Sequence, residues 1–507
     1  MLKLDKNIII CFVLFFISIS FYIYRNIVGI GFLPFGDETG HFLGAITIQH
    51  HDILYRDYID EHGPLIFLVT WLLGQIVGFS KIWLLRLVST FFIAMSGISF
   101  FYSPIFNNLH QRLLATALWF FAMSSVWTVQ GLYLDSYWTV GGALTVIGLA
   151  TVIFPMLCES PILTIHAFTG GAAIGLLPAT AYSFSFVPLT FFIVIAYISI
   201  YKHHGYRKIF LFSLLGCCFA NLLVMMWLLI YGDLKGLIVY HFVLNQFYYI
   251  NYVSVGLKTL IDSFIPSLCN DHLISNLVVY TFIVGSIILF CISTYKMSAL
   301  IIILGVLTLQ LRGSVGFQNG AFLITSFGLF ILSFVRKTEN KLILSIFSSV
   351  LIMLIMVVHG KYATSSPFGE TMDKRKNITW KLFGERLDLG FTSEIQKYTK
   401  ADERILVIPY NPDVYIYANR LPIKKYHAYL PWEADYAQHS WNGYERDICK
   451  DLPLEKPPVI YFDNYIVWGQ FPAEKYMPCV LDFMKIEYTR LPNNSYVYVR
   501  NDLIHKN

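Results

Sequence analysis

The sequence predicts an all-α polytopic membrane domain of about 11 transmembrane helices followed by a C-terminal extracytoplasmic α/β domain. Three observations predict it. Hydrophobic residues make up 56% of the 507 and charged residues only 14%, whereas a soluble chain carries about a quarter charged residues. Apolar runs of spanning length recur over residues 1–360. Over residues 361–507 charges, prolines and tyrosines return, and short strand-like runs appear. The net charge of +5 is small for this length and points away from nucleic acid as a partner.

A transmembrane helix needs roughly 20 apolar residues. Eleven runs qualify, near 7–28, 83–103, 112–128, 137–157, 161–180, 182–201, 209–231, 275–293, 297–311, 317–335 and 341–359. The first is too long for a signal-peptide core and has no small-x-small cleavage site after it, so it reads as a retained helix. Leu65 to Gly78 is shorter and suits an interfacial helix in the first outer loop. Parity supports that choice. With eleven spans and the N-terminus inside, Lys202, Arg207 and Lys208, and then Arg336, Lys337 and Lys341, face the cytoplasm, as the positive-inside rule requires. The loops at 29–64, 129–136, 232–274 and 312–316 and the C-terminal domain then face outward.

In the C-terminal part, Arg404–Pro409 and Pro458–Asp463 read as buried strands and Thr392–Lys400 as a helix. Of the eight cysteines, Cys449 and Cys479 lie in this part, and outside the cytoplasm they can pair; the remainder show no metal-ligand spacing.

Ionisable residues concentrate in the first outer loop: Asp37, Glu38, His41, His50, His51, Asp52, Arg56, Asp57, Asp60, Glu61 and His62. Adjacent carboxylates beside a bilayer are costly to desolvate and usually handle protons, cations or a reacting group. The second outer loop adds Asp135, on the same expected side as Asp37. A late outer turn carries Arg312-Gly313 and then Gln318, an arrangement suited to an anionic group such as a phosphate, although for such an arginine alone interface snorkelling is the commoner explanation. The histidines at 41, 50, 51 and 62 leave a divalent cation open, with interfacial placement as the plainer reading. His241, Asn245, Gln246, Tyr248, Tyr249, Asn251 and Tyr252 read as an amphipathic interfacial helix. Tyr426, His427 and Trp432 suit sugar stacking or core packing alike.

In their order, Asp37-Glu38 after the first helix, Tyr55-Arg56-Asp57, the Gly63-Pro64-Leu65 start of a short apolar helix, Arg312-Gly313 and a tail with Tyr426-His427-Ala428-Tyr429 and Pro431-Trp432 form a recognisable pattern. It resembles the membrane glycosyltransferases of the GT-C fold, in the bacterial branch related to protein O-mannosyltransferases and lipid A aminoarabinose transferases. The resemblance implies a catalytic transmembrane domain at 1–360 and a periplasmic α/β domain at 361–507, in a bacterial inner membrane. It implies Asp37 as the general base, supported by Glu38, and Asp135 as the residue orienting acceptor or base. Arg56 and Arg312 are the donor-phosphate ligands it leaves, because His62 stands where relatives often carry a basic residue. His41, Asp57, His62 and Gln318 complete the expected cavity.

The function so implied is inverting transfer of a hexose, glucose as first guess, from undecaprenyl-phosphate-sugar to a cell-envelope glycan such as O-antigen or lipopolysaccharide. The partners are then the lipid-linked donor, the glycan acceptor, the bilayer, and the flippase and sugar-lipid synthase of the same pathway. A weak hydroxyl nucleophile calls for a carboxylate base, and a phosphate leaving group calls for arginine rather than acid catalysis. Three alternatives remain open: a protein acceptor, a flippase for a polyprenyl-linked glycan, and an O-antigen ligase or polymerase using a diphosphate donor.

Overall fold

The computed structural model describes residues 6–30, 36–127, 131–202, 204–265, 273–312, 320–338, 390–492 and 496–504. Helix α1 (Lys6–Ile30) opens the chain, followed by α2 (Gly36–Gln49) and α3 (Pro64–Val77). Six helices among the described residues are long and apolar enough to cross a membrane: Ile8–Ile30, Trp83–Tyr102, Tyr137–Leu157, Tyr182–Lys202, His204–Tyr231 and Gly320–Lys337. The expected runs at 112–128, 161–180, 275–293 and 297–311 are helices too, as Leu109–Val126, Thr164–Gly175 with Leu177–Thr180, Leu273–Ile292 and Lys296–Leu307. The run at 341–359 and the boundary at 360 lie outside the described residues. This is a multi-pass membrane protein.

Local chemistry explains the helix limits. Asn108 accepts the Gln111 amide at 2.9 Å and so caps Leu109–Val126. Pro155 has no N–H to donate, and the helix from Tyr137 adapts through a π turn at Leu149–Ile153 just before it. In α3, Gly63 precedes Pro64 at the first helical position and Gly78 ends the helix at φ +88°. Fourteen residues rise about 21 Å, short of the roughly 30 Å of a hydrocarbon core. One side of α3 is buried through Leu65, Ile66, Phe67 and Thr70, while Leu72 and Ile76 are exposed.

The chain packs into two compact units, each discontinuous in sequence. One takes residues 1–32, 83–225 and 254–377; the other takes 33–82, 226–253 and 378–507. Thus the first loop and the segment after the seventh expected span pack with the C-terminal domain. That domain holds a four-stranded sheet in the order β1 (Leu406–Ile408), β2 (Val459–Phe462), β4 (Val497–Arg500), β3 (Tyr488–Arg490). Strands β1 and β2 are parallel, with Leu406 opposite Ile460, and the other pairs are antiparallel. Leu406, Ile408, Ile460, Ile448, Leu452, Val480 and Met484 form its core. A disulfide joins Cys449 and Cys479, Cα atoms 5.7 Å apart, tying helix Ile448–Glu455 to helix Pro478–Glu487.

Candidate functional site

In the unit that contains the sheet, α2 starts with Gly36-Asp37-Glu38, so both carboxylates lie in its first turn, where the helix dipole favours negative charge. Glu38 and His41 are buried. The Tyr410 hydroxyl donates to Asp37 Oδ1 at 3.4 Å. A Cβ on Gly36 would stand 2.7 Å from the Tyr410 ring, so glycine is what admits that ring. Tyr58 donates to the Gly40 carbonyl at 2.6 Å, and its ring stacks on His427 at 4.4 Å.

Beside this helix lies a buried charge cluster. Asp60 Oδ1 is 2.6 Å from His62 Nδ1 and accepts the His62 amide at 2.8 Å; its other oxygen is 3.7 Å from His427 Nε2. The His41 and His62 rings meet edge to face at 5.0 Å. Burial pushes the Asp60 carboxyl up, but the His62 charge and hydrogen bond, with His427 and His41, hold it well below the usual carboxylate range. Burial and the adjacent Asp60 push Glu61 up to about 7. Burial lowers His62, yet Asp60 and Glu61 outweigh it and raise the ring to about 9. His427 is lowered to about 4 by burial, with Asp60 opposing. Neighbouring carboxyls are thus driven apart, as groups that divide proton-handling roles are.

Arg56 and Asp57 sit apart from these groups in their contacts. Arg56 is 59% exposed and pairs with Asp57 at 3.2 Å, which also meets Lys424 at 3.4 Å and accepts the Ile53 amide at 3.0 Å. Asp57 thereby holds a turn. Asp52, also from this loop, is clamped by Arg404 through two bonds of 2.8 and 2.9 Å.

In the segment at 234–252, Tyr240, His241, Asn245 and Tyr248 turn towards protein partners, while Lys235, Gln246 and Asn251 are exposed. Asp233 caps its start, accepting the Lys235 and Gly236 amides at 2.9 and 3.0 Å. Tyr240 then donates to the Tyr444 carbonyl at 3.0 Å and Tyr248 to the His439 carbonyl at 3.2 Å. Asn245 donates to the Glu61 carbonyl at 2.9 Å, with His241 Nδ1 3.0 Å from the same oxygen. Its polar side therefore reads against the first loop and the C-terminal domain. Tyr426 is buried, His427 packs on Tyr58, and Trp432 stacks on Trp468 at 5.0 Å, so core packing accounts for these aromatics.

In the other unit, Asp135 is fully buried and Ser136 caps the helix that Tyr137 begins. Arg312 donates to the Tyr137 hydroxyl at 3.0 Å, so the second loop and the late turn meet. Arg86 anchors this corner: it donates to the carbonyls of Gly29 and Ile30 at 3.1 and 3.0 Å and lies over the Tyr133 ring at 4.9 Å. Next to Arg312, the Leu311 carbonyl accepts the Gly256 amide at 2.9 Å, at the start of helix Leu257–Phe264. That helix lines an apolar cavity of about 380 Å³ with Leu260, Phe264, Phe282, Ile287 and Leu307. Gln318 lies outside the described residues. Among the described residues no three His, Cys, Asp or Glu side chains gather as metal ligands.

No family model and no curated protein matches the chain. Solved structures do. ArnT from Cupriavidus metallidurans in the apo state superposes with a TM-score of 0.57 at 11% identity, covering 96% of this chain and 97% of that one. The same protein bound to undecaprenyl phosphate gives 0.54 at 12% identity, with coverage of 96% and 97%. The Archaeoglobus fulgidus oligosaccharyltransferase in complex with Zn and sulfate gives 0.52 at 12% identity, covering 97% of this chain and 73% of that one. The chain has the GT-C fold. The GT-C resemblance read from the first five spans, the late turn and the tail thus extends over 96% of the chain.

Sequence reasoning overlooked Tyr410, Glu433, Arg446 and Arg86. Tyr410 carried a usable signal: it follows the carboxyl end of a parallel strand, where α/β sheets present functional groups. Arg446 and Glu433 pair only through packing, which no local pattern signals.

Proposed function

We propose that this protein is an inverting glycosyltransferase that moves a hexose, glucose as first guess, from undecaprenyl-phosphate-sugar to a cell-envelope glycan such as O-antigen or lipopolysaccharide. The observation that carries the proposal is end-to-end likeness to a fold solved with undecaprenyl phosphate bound, together with a paired carboxylate at the start of α2. Asp37 takes the proton of the acceptor hydroxyl while the acceptor oxygen bonds to the anomeric carbon. The bond from that carbon to the phosphate oxygen breaks, and undecaprenyl phosphate leaves with the electron pair. Direct displacement inverts the anomeric centre. Glu38 supports the base, with His41 and His62 as its neighbours, and Asp135 orients the acceptor; Asp57 and Gln318 are the further residues proposed to meet substrate.

Arg312 and Arg56 stabilise the phosphate. Arg312 is the stronger member, since it is half-buried beside an apolar cavity suited to an isoprenoid. The protein sits in the bacterial inner membrane with its C-terminal domain in the periplasm. The Cys449–Cys479 disulfide supports that side, because such bonds persist in oxidising compartments.

The test uses purified protein in nanodiscs with undecaprenyl-phosphate-glucose and lipopolysaccharide. Release of undecaprenyl phosphate that depends on acceptor, and its loss in Asp37→Asn, supports the reading. Lipid-linked sugar crossing a vesicle without release identifies a flippase instead.

A further inference from the structure

The C-terminal domain carries an exposed aromatic hairpin that the transfer reaction does not use. Residues 464–473 contain no charge between Asp463 and Glu474. Within this stretch Val467 pairs with Phe471 around a tight turn, and Tyr465, Ile466 and Trp468 are 42%, 46% and 39% exposed.

The turn itself does not call for these residues. Trp468 has φ +52° and Gly469 φ +70°. Such left-handed positions favour Asn or Gly, and a bulky side chain there is strained. A tryptophan at this position is explained by what its ring meets, not by what the turn needs. One face is taken: the ring stacks on Trp432 at 5.0 Å and 24°, with Tyr249 edge-on at 6.2 Å. That packing holds the hairpin rigid while leaving its tip outside.

Exposed apolar residues also mark a membrane-crossing helix and the segment that leads from it to this hairpin. Leu229 and Ile230, at the end of helix Arg207–Tyr231, are 69% and 66% exposed. Two residues further on, Asp233 starts the segment that carries Phe247, 65% exposed, and Tyr249, which touches Trp468. All of these residues lie in one compact unit. Tryptophan and tyrosine concentrate where hydrocarbon meets headgroups, because their rings are apolar with one polar atom. The exposed polar residues of the stretch, Asn464 and Gln470, are uncharged, so seating the tip at headgroup level buries no charge.

We propose that the Tyr465–Trp468 hairpin is a membrane-interface anchor, seated with Phe247 at the headgroup level of the bilayer that the helices cross. It fixes the C-terminal domain on the lipid surface, and this holds whatever sugar or acceptor the protein uses.

The unmodified full chain tests it in nanodiscs of phosphatidylethanolamine and phosphatidylglycerol containing a phospholipid with a diazirine near the headgroup. After photolysis, mass spectrometry should find adducts on residues 464–472 at least tenfold more often than on helix Pro478–Glu487. Ile466→Asp with Trp468→Asp should lower the first figure to the second. Adducts equally rare on both in the unmodified chain overturn the anchor. Protection of Trp468 from oxidation by N-bromosuccinimide on adding a soluble oligosaccharide, with no lipid adducts, reassigns the hairpin to a glycan.

Discussion

Tyr410 donates its hydroxyl hydrogen to Asp37 Oδ1 across 3.4 Å, linking residues 373 positions apart in the chain. The C-terminal domain therefore reaches the carboxylate proposed as base. Tyr410 fills the space left by Gly36, so the contact depends on a glycine as much as on a hydroxyl. A single hydrogen bond contributes about 1 kcal/mol, or up to about tenfold in rate. Tyr410→Phe should lower kcat by roughly that factor and leave KM for the lipid-linked donor unchanged. An equal fall in donor affinity would show instead that the ring holds the donor. Gly36→Ala should do more harm than Tyr410→Phe, because its methyl displaces the whole ring.

Arg312 is expected to hold the donor phosphate. Its bond to Tyr137 already orients the guanidinium, and removing a charge-assisted contact costs about 1.5–3 kcal/mol. Arg312→Ala should weaken undecaprenyl phosphate binding by roughly 10- to 100-fold, measured in detergent by displacement of a labelled lipid. Arg56→Ala should weaken it less, since Arg56 is exposed and paired with Asp57.

The Asp60 cluster predicts how stability follows pH. His62 is raised to about 9 in the fold, so its contribution is complete below its unfolded value of 6.5 and fades as pH rises through 9. His427 is lowered to about 4, so folding keeps it neutral and stability declines as pH falls from 6.5 towards 4. Asp60, held below the carboxylate range, adds stability above its unfolded value that is lost in stronger acid. Glu61, raised to about 7, contributes less stability as pH rises from 4.5 and so offsets the gain from His427. Thermal unfolding of the full chain should therefore show a plateau between about pH 4.5 and 6.5 and weaken above it. His62→Gln should flatten the alkaline side, and His427→Gln should tilt the plateau so that stability falls as pH rises across it; unchanged profiles in both variants would contradict the assignment.

Glu433 and Arg446 form a buried ion pair, and Arg446 also donates to the Ala428 carbonyl at 2.9 Å. Removing one partner strands a buried charge at a cost of about 3–5 kcal/mol. Arg446→Met should lower the unfolding midpoint sharply. Arg446→Met with Glu433→Leu should recover much of the loss, which a purely steric defect would not allow.

Reduction of Cys449–Cys479 releases a 30-residue link and should cost the C-terminal domain about 3–4 kcal/mol. Cys449→Ser should show the same loss without reductant, whereas a protein insensitive to both would mean that the core alone suffices.

The start of α3 at Gly63-Pro64 was legible in the sequence, because helix limits depend on a few neighbouring residues, whereas α2 over Gly36–Gln49 falls in what reads as an outer loop. The sequence reading of His241 to Tyr252 as an amphipathic helix carried no sign of its protein partners, since Tyr240 and Tyr248 bond to carbonyls about 200 residues away.

By itself the sequence determined that apolar helices of spanning length cross a membrane, that a small α/β region with buried strands follows, and which acidic and basic residues lie near helix ends. These follow from run length, periodicity and local capping, all short-range properties of the chain. Only the tertiary structure decided that Asp60 lies between His62 and His427, that Tyr410 meets Asp37, and that Arg312 meets Tyr137. Such pairings arise when distant segments bury polar groups together, and a buried charge must take whichever partner the packing brings within reach.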